Sequence, residues 1–318
     1  MNTPGRLSKV DAARLAEEFA DARVRIQADL VAVVESLPDE MAHVAGYHLG
    51  WWDAAGAPSN ARGKGLRPAV LLAAAESVGG PTAREKAVPL AAALELVHEF
   101  SLLHDDIMDS GRTRRNRATT WTVFGRPKAL LVGDLFAFAA IKLVNQQHHP
   151  RGTSYIDSFI DAILSMCVGQ SEDLAHESEP GITLSDSMGM IAGKTGALLA
   201  CASGLGASIA DAPPAHSKAF ERFGQELGIA FQLHDDVQGI WGDERTGKDV
   251  GSDLIARKRT APIVFALASD TRAGDELTAA LAQKAPWTPA EVERIAGLIE
   301  ETGARTWAES EAMARMAD

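Results

Sequence analysis

The chain has 318 residues, 46% of them hydrophobic, so it is long enough to bury a substantial core. Its 43 acidic residues outnumber its 31 basic residues, and the formal net charge of −12 argues against nucleic acid or an anionic membrane as the main partner. No run reaches the ~20 apolar residues that cross a bilayer, and the N-terminus lacks the apolar core of a signal peptide. The two cysteines form no CxxC pair and are predicted to be buried in a reducing compartment. We therefore expect a cytoplasmic protein without stable membrane insertion.

Apolar residues recur at helical spacing along almost the whole chain, and no convincing alternating strand pattern appears. Clusters rich in Gly, Pro and Asp separate these stretches, as at residues 79–81 and 211–214. In chain order, the predicted helices cover residues 8–37, 66–79, 82–110, 118–147, 152–177, 184–209, 214–241, 258–270, 275–284 and 289–315. We predict an all-α fold, with residues 1–318 forming one domain. This domain is expected to be a bundle of about ten or more helices around a central apolar cavity.

An acidic motif occurs twice, each time at the end of an apolar helix. Residues 103–109 read LHDDIMD and residues 233–239 read LHDDVQG. Asp105 and Asp109 are four apart, so both project from one face of their helix. The repeat predicts that the two helix ends form two walls of one site. A solvated helix end is the alternative for a single copy, but two copies on apolar helices argue against it.

These carboxylates favour a magnesium site. Like charges four apart repel each other, and the helix dipole disfavours anions at a C-terminal end, so a bound cation would offset both effects. Oxygen ligands without nearby Cys or ligand-spaced His indicate Mg²⁺ over zinc. His104 and His234 precede the two aspartate pairs and are interpreted as packed or outer groups, not as ligands.

Basic residues accompany the acidic motifs. Lys64 and Arg67 lie three apart at a predicted helix start, behind glycines that let the backbone approach an anion. Arg114 and Arg115 follow the first acidic motif, where guanidinium groups suit bidentate phosphate contacts, although a solvated basic turn is the alternative. Lys194 lies in an otherwise apolar helix, where it is either functional or directed to the surface.

The sequence therefore offers two anion sites. One is bridged by Mg²⁺ between the aspartates, with help from Lys194, Lys248 and an arginine. The other is metal-free and is built from Lys64, Arg67 and further basic groups. Basic residues beside a magnesium site suit diphosphate groups. If each anion site binds one diphosphate, the pocket holds two substrates, which indicates a two-substrate condensation.

From about Gly63 to Pro262, the order of these motifs resembles that of the trans-isoprenyl diphosphate synthases (polyprenyl synthetases), and most of all the geranylgeranyl diphosphate synthases. The matching motifs are, in chain order, Gly63-Lys64-x-x-Arg67-Pro68, Glu95-x-x-His98-x-x-Ser101-Leu102-x-His104-Asp105-Asp106-x-x-Asp109, Arg114-Arg115, Gly169-Gln170-x-x-Asp173, Lys194-Thr195, Phe231-Gln232-x-x-Asp235-Asp236, Gly242-Asp243, Gly247-Lys248, Gly251-x-Asp253-Leu254 and Lys258-x-Thr260.

The resemblance implies the isoprenoid synthase fold, a homodimer, and Mg²⁺-dependent head-to-tail condensation of isopentenyl diphosphate with an allylic diphosphate (dimethylallyl, geranyl or farnesyl). It implies three Mg²⁺ ions with substrate bound, and metal ligands at Asp105, Asp109 and Asp235. The implied catalytic residues are Asp105, Asp106, Asp109, Lys194, Thr195, Gln232, Asp235 and Lys248. The implied substrate-binding residues are Lys64, Arg67, His98, Arg114, Arg115, Lys194, Thr195, Gln232, Lys248 and Lys258.

Product length in this family follows the bulk of residues just before the first motif. Phe100 and Ser101 in this position resemble the pattern for a C20 product, geranylgeranyl diphosphate. A helical wheel directs Ser101, Val97 and Leu94 at the same region as strongly, so the emphasis on Phe100 comes from the resemblance and not from geometry.

The chain also departs from the family pattern. Gly239 stands where the second motif normally ends in Asp, and Asp243 is expected to compensate in part, so that Gly239→Asp would change turnover little. Asn116, Ala118 and Trp121 replace the usual Gly, Pro and His after the paired arginines, with modest expected effects.

Two other functions are compatible with parts of the pattern. A class I terpene cyclase shares the magnesium–aspartate chemistry but has no use for a second diphosphate site, so Lys64, Arg67 and His98 argue against it. A non-catalytic regulatory subunit of a heteromeric synthase would explain Gly239. The complete first motif argues against that second alternative, as do Lys194 and Lys248.

Overall fold

The computed structural model describes residues 9–147, 155–177, 179, 181–242, 251–283 and 285–317. Its helices are α1 Lys9–Glu35, α2 Asp39–His48, α3 Leu66–Met108, α4 Thr120–Phe124, α5 Arg126–Asn145, α6 Tyr155–His176, α7 Leu184–Ile191, α8 Ala197–Ile209, α9 Pro214–Trp241, α10 Ser252–Ile255, α11 Ala261–Leu267, α12 Arg272–Leu281, α13 Pro289–Glu301 and α14 Ala304–Arg315. A π-helical turn, Ala192–Gly196, joins α7 to α8. Strands β1 (Thr113–Arg114) and β2 (Arg117–Ala118) form a short antiparallel hairpin. The predicted all-α fold is confirmed.

The chain divides into two compact units, residues 1–161 with 201–221, and residues 162–200 with 222–318. In the first unit, α3 packs against α1 and α5. The 43-residue α3 is apolar on most faces, and its Leu90, Leu94 and Leu96 side chains are completely buried. Such burial supplies most of the stability of a helix like this one.

The helix α3 is kinked at the predicted break. Gly80 has φ 68° and ψ −166°, outside the helical region, and Pro81 follows it with no N–H to donate. The helix resumes because the residues after Pro81 again place apolar side chains in the core. The predicted separation at residues 79–81 is thus present as a kink within one helix.

Glycines with positive φ explain two further differences from the predicted boundaries. The predicted helix 118–147 is divided at Gly125 (φ 87°), and the predicted helix 289–315 is divided at Gly303 (φ 84°). The short helix α2 and the hairpin were not predicted. In α2, a Cβ on Gly46 would lie 2.0 Å from the Trp52 ring, so close packing and not helix propensity fixes this residue.

The second unit has its own apolar core. Buried residues from α9 to α14 form it, among them Ile240, Ile263, Leu277, Ile295 and Ile299. The helices α11 and α14 also meet through stacked rings, since the centroids of Phe265 and Trp307 lie 4.8 Å apart. Contacts among α10 to α14 close this unit around the end of α9.

Among the described residues, two apolar stretches are long enough to cross a bilayer by length and composition, contrary to the expectation that no run reaches that length. They are α3 and the continuous segment Leu184–Ile209, and 61% of the apolar window in each is buried inside the protein. Helices in the core of a globular protein are apolar and mostly buried in the same way, so these two stretches are consistent with core helices. Of the two cysteines, Cys201 is buried as predicted, whereas Cys167 is exposed.

Candidate active site

The first acidic motif closes α3. Asp106 is 5% exposed, and Arg114 Nε donates hydrogen bonds of 2.9 and 3.0 Å to its two carboxylate oxygens. Asp105 is partly buried and Asp109, the C-terminal capping residue, is exposed. The predicted catalytic Asp106 is therefore engaged by an arginine, while Asp105 and Asp109 lie closer to the surface.

The hairpin after α3 places the paired arginines. Arg115 and Asn116 form its turn with φ of 51° and 58°, left-handed values that Asn tolerates better than most residues. The Arg117 guanidinium lies 4.3 Å from the centre of the Tyr47 ring and fixes β2 against α2. The departure at Asn116 from the usual Gly is accommodated because Asn suits this turn.

A second cluster joins residues that are far apart in sequence. Arg115 Nη2 donates a 2.8 Å hydrogen bond to Glu99 Oε1, and a Cβ on Gly63 would lie 2.8 Å from Arg115 Nη2. Burial lowers the pKa of Arg67, and the negative charges of the neighbouring Glu95 and Glu99 partly offset this decrease. The Nε atom of Arg67 is buried and has no hydrogen-bond partner among the described residues.

The protonation states in this cluster follow from burial and charge. Burial and the charge of Arg67 hold the pKa of His98 well below its usual range, so this imidazole is neutral at pH 7. Burial and the charge of Glu99 raise the pKa of Glu95. Lys64 is exposed at the entrance to α3. The predicted metal-free anion residues Lys64, Arg67, His98 and Arg115 thus belong to one region of the first unit.

Glu99 was not identified from the sequence, nor was His48, whose Nε2 lies 2.9 Å from Glu99 Oε2. A charged residue inside the apolar run of α3 was the signal that could have revealed Glu99. His48 gave no signal, because α2 itself was not predicted.

The residues assigned to product length lie one turn before the acidic motif. The ring of Phe100 packs edge-on against His104, with centroids 4.8 Å apart. His104 Nε2 lies 3.1 Å from Leu130 O of α5, so this histidine is a packing residue, as predicted. Ser101 Oγ donates a 2.8 Å hydrogen bond to His98 O within its own helix.

In the second unit, the π-helical turn presents Lys194 and Thr195. Lys194 Nζ donates a 2.6 Å hydrogen bond to Asp173 Oδ2. Close backbone packing fixes the turn, since a Cβ on Gly169 would lie 2.3 Å from Lys194 N. A Cβ on Gly228 would likewise lie 2.6 Å from the Cα of Gly196. Glycines on α6 and α9 therefore let both helices contact the turn that carries these two side chains.

A chain of hydrogen bonds runs from this turn to the second acidic motif. Thr195 Oγ1 donates to Gln232 Oε1 at 2.9 Å, and Gln232 Nε2 donates to Asp236 Oδ1 at 2.9 Å. The Ala261 N–H donates to Asp236 Oδ2 at 3.3 Å. Asp236 is 4% exposed, and burial, with the charges of Asp253 and Asp235, raises its pKa to about 7 despite these donors.

Asp253 occupies the space beside Gly239. A Cβ on Gly239 would lie 1.9 Å from Asp253 Oδ2, so the Asp253 carboxylate stands where a side chain at position 239 would begin. Asp253 was matched to the family pattern but given no role from the sequence. The predicted residues Asp243 and Lys248 lie outside the described residues, and the Lys258 N–H donates to Asp253 O at 2.9 Å.

The carboxylates of the two acidic motifs fit Mg²⁺, which needs few protein ligands, better than a metal that is bound by protein side chains alone. Among the described residues, no three His, Cys, Asp or Glu side chains are grouped to hold a metal. Mg²⁺ commonly takes one or two carboxylates and completes its shell with water and phosphate oxygens. Asp105 with Asp109, and Asp235 in its own unit, would supply that number of carboxylates. Burial is the main cause of the raised pKa of Asp236; the charges of Asp253 and Asp235 add to it, and a cation would relieve that added part.

Synthases of known name are similar in sequence to most of this chain. A geranylgeranyl diphosphate synthase of Mycobacterium tuberculosis is 44% identical over 273 residues, covering 85% of this chain and 77% of the relative. A (2E,6E)-farnesyl diphosphate synthase of the same organism is 39% identical over 303 residues, covering 94% and 82%.

Solved structures agree with these relatives. A polyprenyl synthetase from Streptomyces coelicolor has a TM-score of 0.89 at 39% identity, covering 96% of this chain and 91% of that chain. A polyprenyl synthase from Caulobacter crescentus, complexed with calcium and isoprenyl diphosphate, has a TM-score of 0.76 at 26% identity, covering 95% and 91%. The Polyprenyl synthetase family profile matches residues 53–299, which include both acidic motifs and both sets of basic residues. This chain belongs to the polyprenyl synthetase family.

Proposed function

We propose that this prenyltransferase condenses isopentenyl diphosphate with an allylic diphosphate and releases C20 geranylgeranyl diphosphate. The observation that carries the proposal is the cluster of Arg67, His98 and Arg115, whose guanidinium groups support a second anion site apart from the acidic motifs. Arg67 is half-buried, and its buried Nε atom has no hydrogen-bond partner among the described residues, so this donor is available to an anion. We assign this cluster, with Lys64, to isopentenyl diphosphate.

The allylic diphosphate is assigned to the two acidic motifs. Asp105, Asp109 and Asp235 would hold three Mg²⁺ ions with the substrate, and bound Mg²⁺ would stabilise the charge that builds on the departing diphosphate. Lys194 would turn from Asp173 to that diphosphate. Further contacts are assigned to Arg114, Lys248 and Lys258, and Asp106 is assigned the role of holding Arg114.

The remaining catalytic tasks concern the allylic cation. The backbone carbonyl at Lys194–Thr195 and the Gln232 amide oxygen suit a neighbouring positive charge, and the Thr195 hydroxyl, which donates to Gln232 Oε1, holds that amide in place. The isopentenyl double bond attacks the allylic cation, a carbon–carbon bond forms, and a proton is lost to the released diphosphate. Apolar walls are needed to keep water from the cation.

The C20 product is assigned through Phe100 and Ser101. Phe100 packs against His104, and His104 contacts Leu130 O of α5. These contacts restrict the Phe100 ring, which supports its assignment as a barrier to chain growth. The relatives include synthases named for C15 as well as C20 products, so this assignment depends on Phe100 itself.

We also propose a cytoplasmic homodimer in which residues 1–318 act as one polyprenyl synthetase domain. An apolar stripe on α5 supports a partner surface, since Leu131 is 53% exposed and Phe138, two turns on, is 70% exposed. The profile match across both units supports one domain. Sedimentation of the purified chain would reveal a monomer if this part is wrong.

The test is an assay of the purified protein with Mg²⁺, isopentenyl diphosphate and farnesyl diphosphate. A C20 diphosphate is the expected product. A hydrocarbon or alcohol would instead indicate a cyclase, which has no use for the Arg67–His98–Arg115 cluster. No turnover from folded protein would indicate a regulatory subunit.

A further inference from the structure

A buried carboxylate lies in the part of the chain proposed to bind an anion. Glu99 is 2% exposed, and its Oε1 accepts the 2.8 Å hydrogen bond from Arg115 Nη2. A negative charge near a diphosphate repels it through space. The contact with Arg115 is the feature of Glu99 that can offset this repulsion.

The Arg115 guanidinium is confined by two neighbours at its Nη2 atom. Glu99 Oε1 accepts from this atom, and the Gly63 backbone lies beside it, so close that a Cβ there would come within 2.8 Å of Arg115 Nη2 and 3.5 Å of Glu99 Oε1. Glu99 is itself confined, because His48 Nε2 lies 2.9 Å from its second oxygen, although this contact is not aligned as a hydrogen bond. His48 is fixed in turn by the 3.1 Å contact of its Nδ1 with Thr120 Oγ1.

The charges in this arrangement support an ion pair. Burial alone would raise the pKa of Glu99, but Arg115 and His48 hold it well below its usual range, so the carboxylate is ionised at neutral pH. Although burial opposes it, the charge of Glu99 likewise raises the pKa of Arg115. A guanidinium carries five N–H donors in one rigid plane, so a carboxylate that takes one donor sets the direction of the others.

We propose that Glu99 is a positioning residue, which holds the Arg115 guanidinium so that its remaining N–H groups contact the diphosphate of isopentenyl diphosphate. The inference rests on the proposed function, in which Arg115 contacts this substrate. It adds that the orientation of Arg115 is set by α3, through Glu99, and not by the hairpin that carries Arg115.

The test is a double-mutant cycle. Glu99→Ala and Glu99→Gln are made in the parent chain and in an Arg115→Ala chain. For every variant, kcat and the KM of each of the two substrates are measured. In the parent chain, Glu99→Ala should raise the KM for isopentenyl diphosphate on the order of ten-fold. Glu99→Gln should raise it less, because the amide oxygen still accepts the Arg115 N–H. In the Arg115→Ala chain, both substitutions should change KM less than two-fold.

The matched control is Glu226→Ala, which removes another Glu–Arg pair, a 2.9 Å contact with Arg315 in the second unit, and should leave both KM values unchanged. If Glu99→Ala does not fold, the Gln variant and the two double variants still complete the comparison. Equal effects of Glu99 substitutions in both chains, unchanged KM, or equal rises for both substrates would overturn the inference. If Arg115→Ala itself leaves the KM for isopentenyl diphosphate unchanged, the proposed function of this cluster fails first.

Discussion

The two acidic motifs begin with the same four residues, Leu-His-Asp-Asp, but the second aspartate of each motif has different partners in the structure. Asp106, in the first motif, contacts the Arg114 guanidinium. Asp236, in the second, accepts hydrogen bonds from the Gln232 amide and the Ala261 N–H, and its pKa is raised to about 7. The same four residues therefore lie in different surroundings, because these partners come from outside each motif, and burial is the main cause of the raised pKa of Asp236.

The motifs also differ at their last carboxylate. Asp109 ends the first, whereas Gly239 ends the second and leaves its space to Asp253, fourteen residues further on. Asp253 joins Asp243, which lies outside the described residues, as a residue expected to compensate for Gly239. The comparison teaches that the space left by a truncated motif can be filled by a residue outside its own helix.

The largest expected effect is the loss of a proposed metal ligand in the first motif. Asp105→Ala should lower kcat/KM by about three orders of magnitude or more, because removal of a carboxylate weakens the charge stabilisation on the departing diphosphate. Steady-state kinetics at saturating Mg²⁺ provide the measurement. The exposed Glu276→Ala, on α12, serves as the control. Retention of a tenth of parent activity would show that Asp105 is not a metal ligand.

The next effect concerns Asp253. Asp253→Ala should weaken binding of Mg²⁺–pyrophosphate by about 10- to 100-fold, the usual range for residues that support a metal site. Isothermal titration calorimetry with pyrophosphate and Mg²⁺ provides the measurement. Unchanged affinity would mean that Asp253 only fills space.

The side chain of Asp253 also revises the expectation for Gly239→Asp. This substitution places a Cβ against the Asp253 carboxylate and should destabilise the chain by about 1–3 kcal/mol. The double variant Gly239→Asp/Asp253→Gly should recover that loss in thermal unfolding. A single Gly239→Asp variant as stable as the parent would show that Asp253 moves aside without cost.

A smaller effect separates the two middle aspartates. At pH 7, Asp106→Asn should destabilise the metal-free chain by about 2 kcal/mol, since it removes a buried partner of an arginine. Asp236→Asn should cost less, because that carboxyl is already close to half protonated. Chemical denaturation of both variants at pH 7 makes the comparison, and equal losses would remove the distinction.

The pH dependence follows from the same difference. The folded pKa of Asp236, about 7, lies above the unfolded value near 4, so the folded state binds the extra proton between these pH values. The contribution of Asp236 to stability is therefore present at low pH and is lost as pH rises towards 7. Asp236→Asn should flatten this decline in the metal-free chain. An unchanged slope would show that Asp236 is ionised throughout.

The smallest expected effect on rate is at Phe100. Phe100→Ala should lengthen the product beyond C20 with little change in turnover, because it removes a barrier and leaves the diphosphate contacts in place. Chromatography of the dephosphorylated products provides the measurement. A folded variant that still releases C20 alone would place the barrier elsewhere, with Ser101 the next candidate.

The sequence was sufficient for the all-helical fold and the family, because apolar periodicity and motif order are local properties. It was insufficient where a contact joins distant residues. Glu99 with Arg115, Gly239 with Asp253, and Asp106 with Arg114 all depend on how a turn or helix end is placed. The α2 helix and the hairpin were missed because packing against Trp52 and Tyr47 stabilises them more than local propensity does.

The most direct test of two distinct diphosphate sites is calorimetry with each ligand in the presence and absence of Mg²⁺. A non-ionising thio analogue of farnesyl diphosphate should bind only with Mg²⁺. Isopentenyl diphosphate should bind equally well in EDTA and should lose affinity in the Arg67→Ala variant. Mg²⁺-dependent binding of both ligands, or unchanged binding of isopentenyl diphosphate to Arg67→Ala, would contradict the assignment of a metal-free site to this cluster.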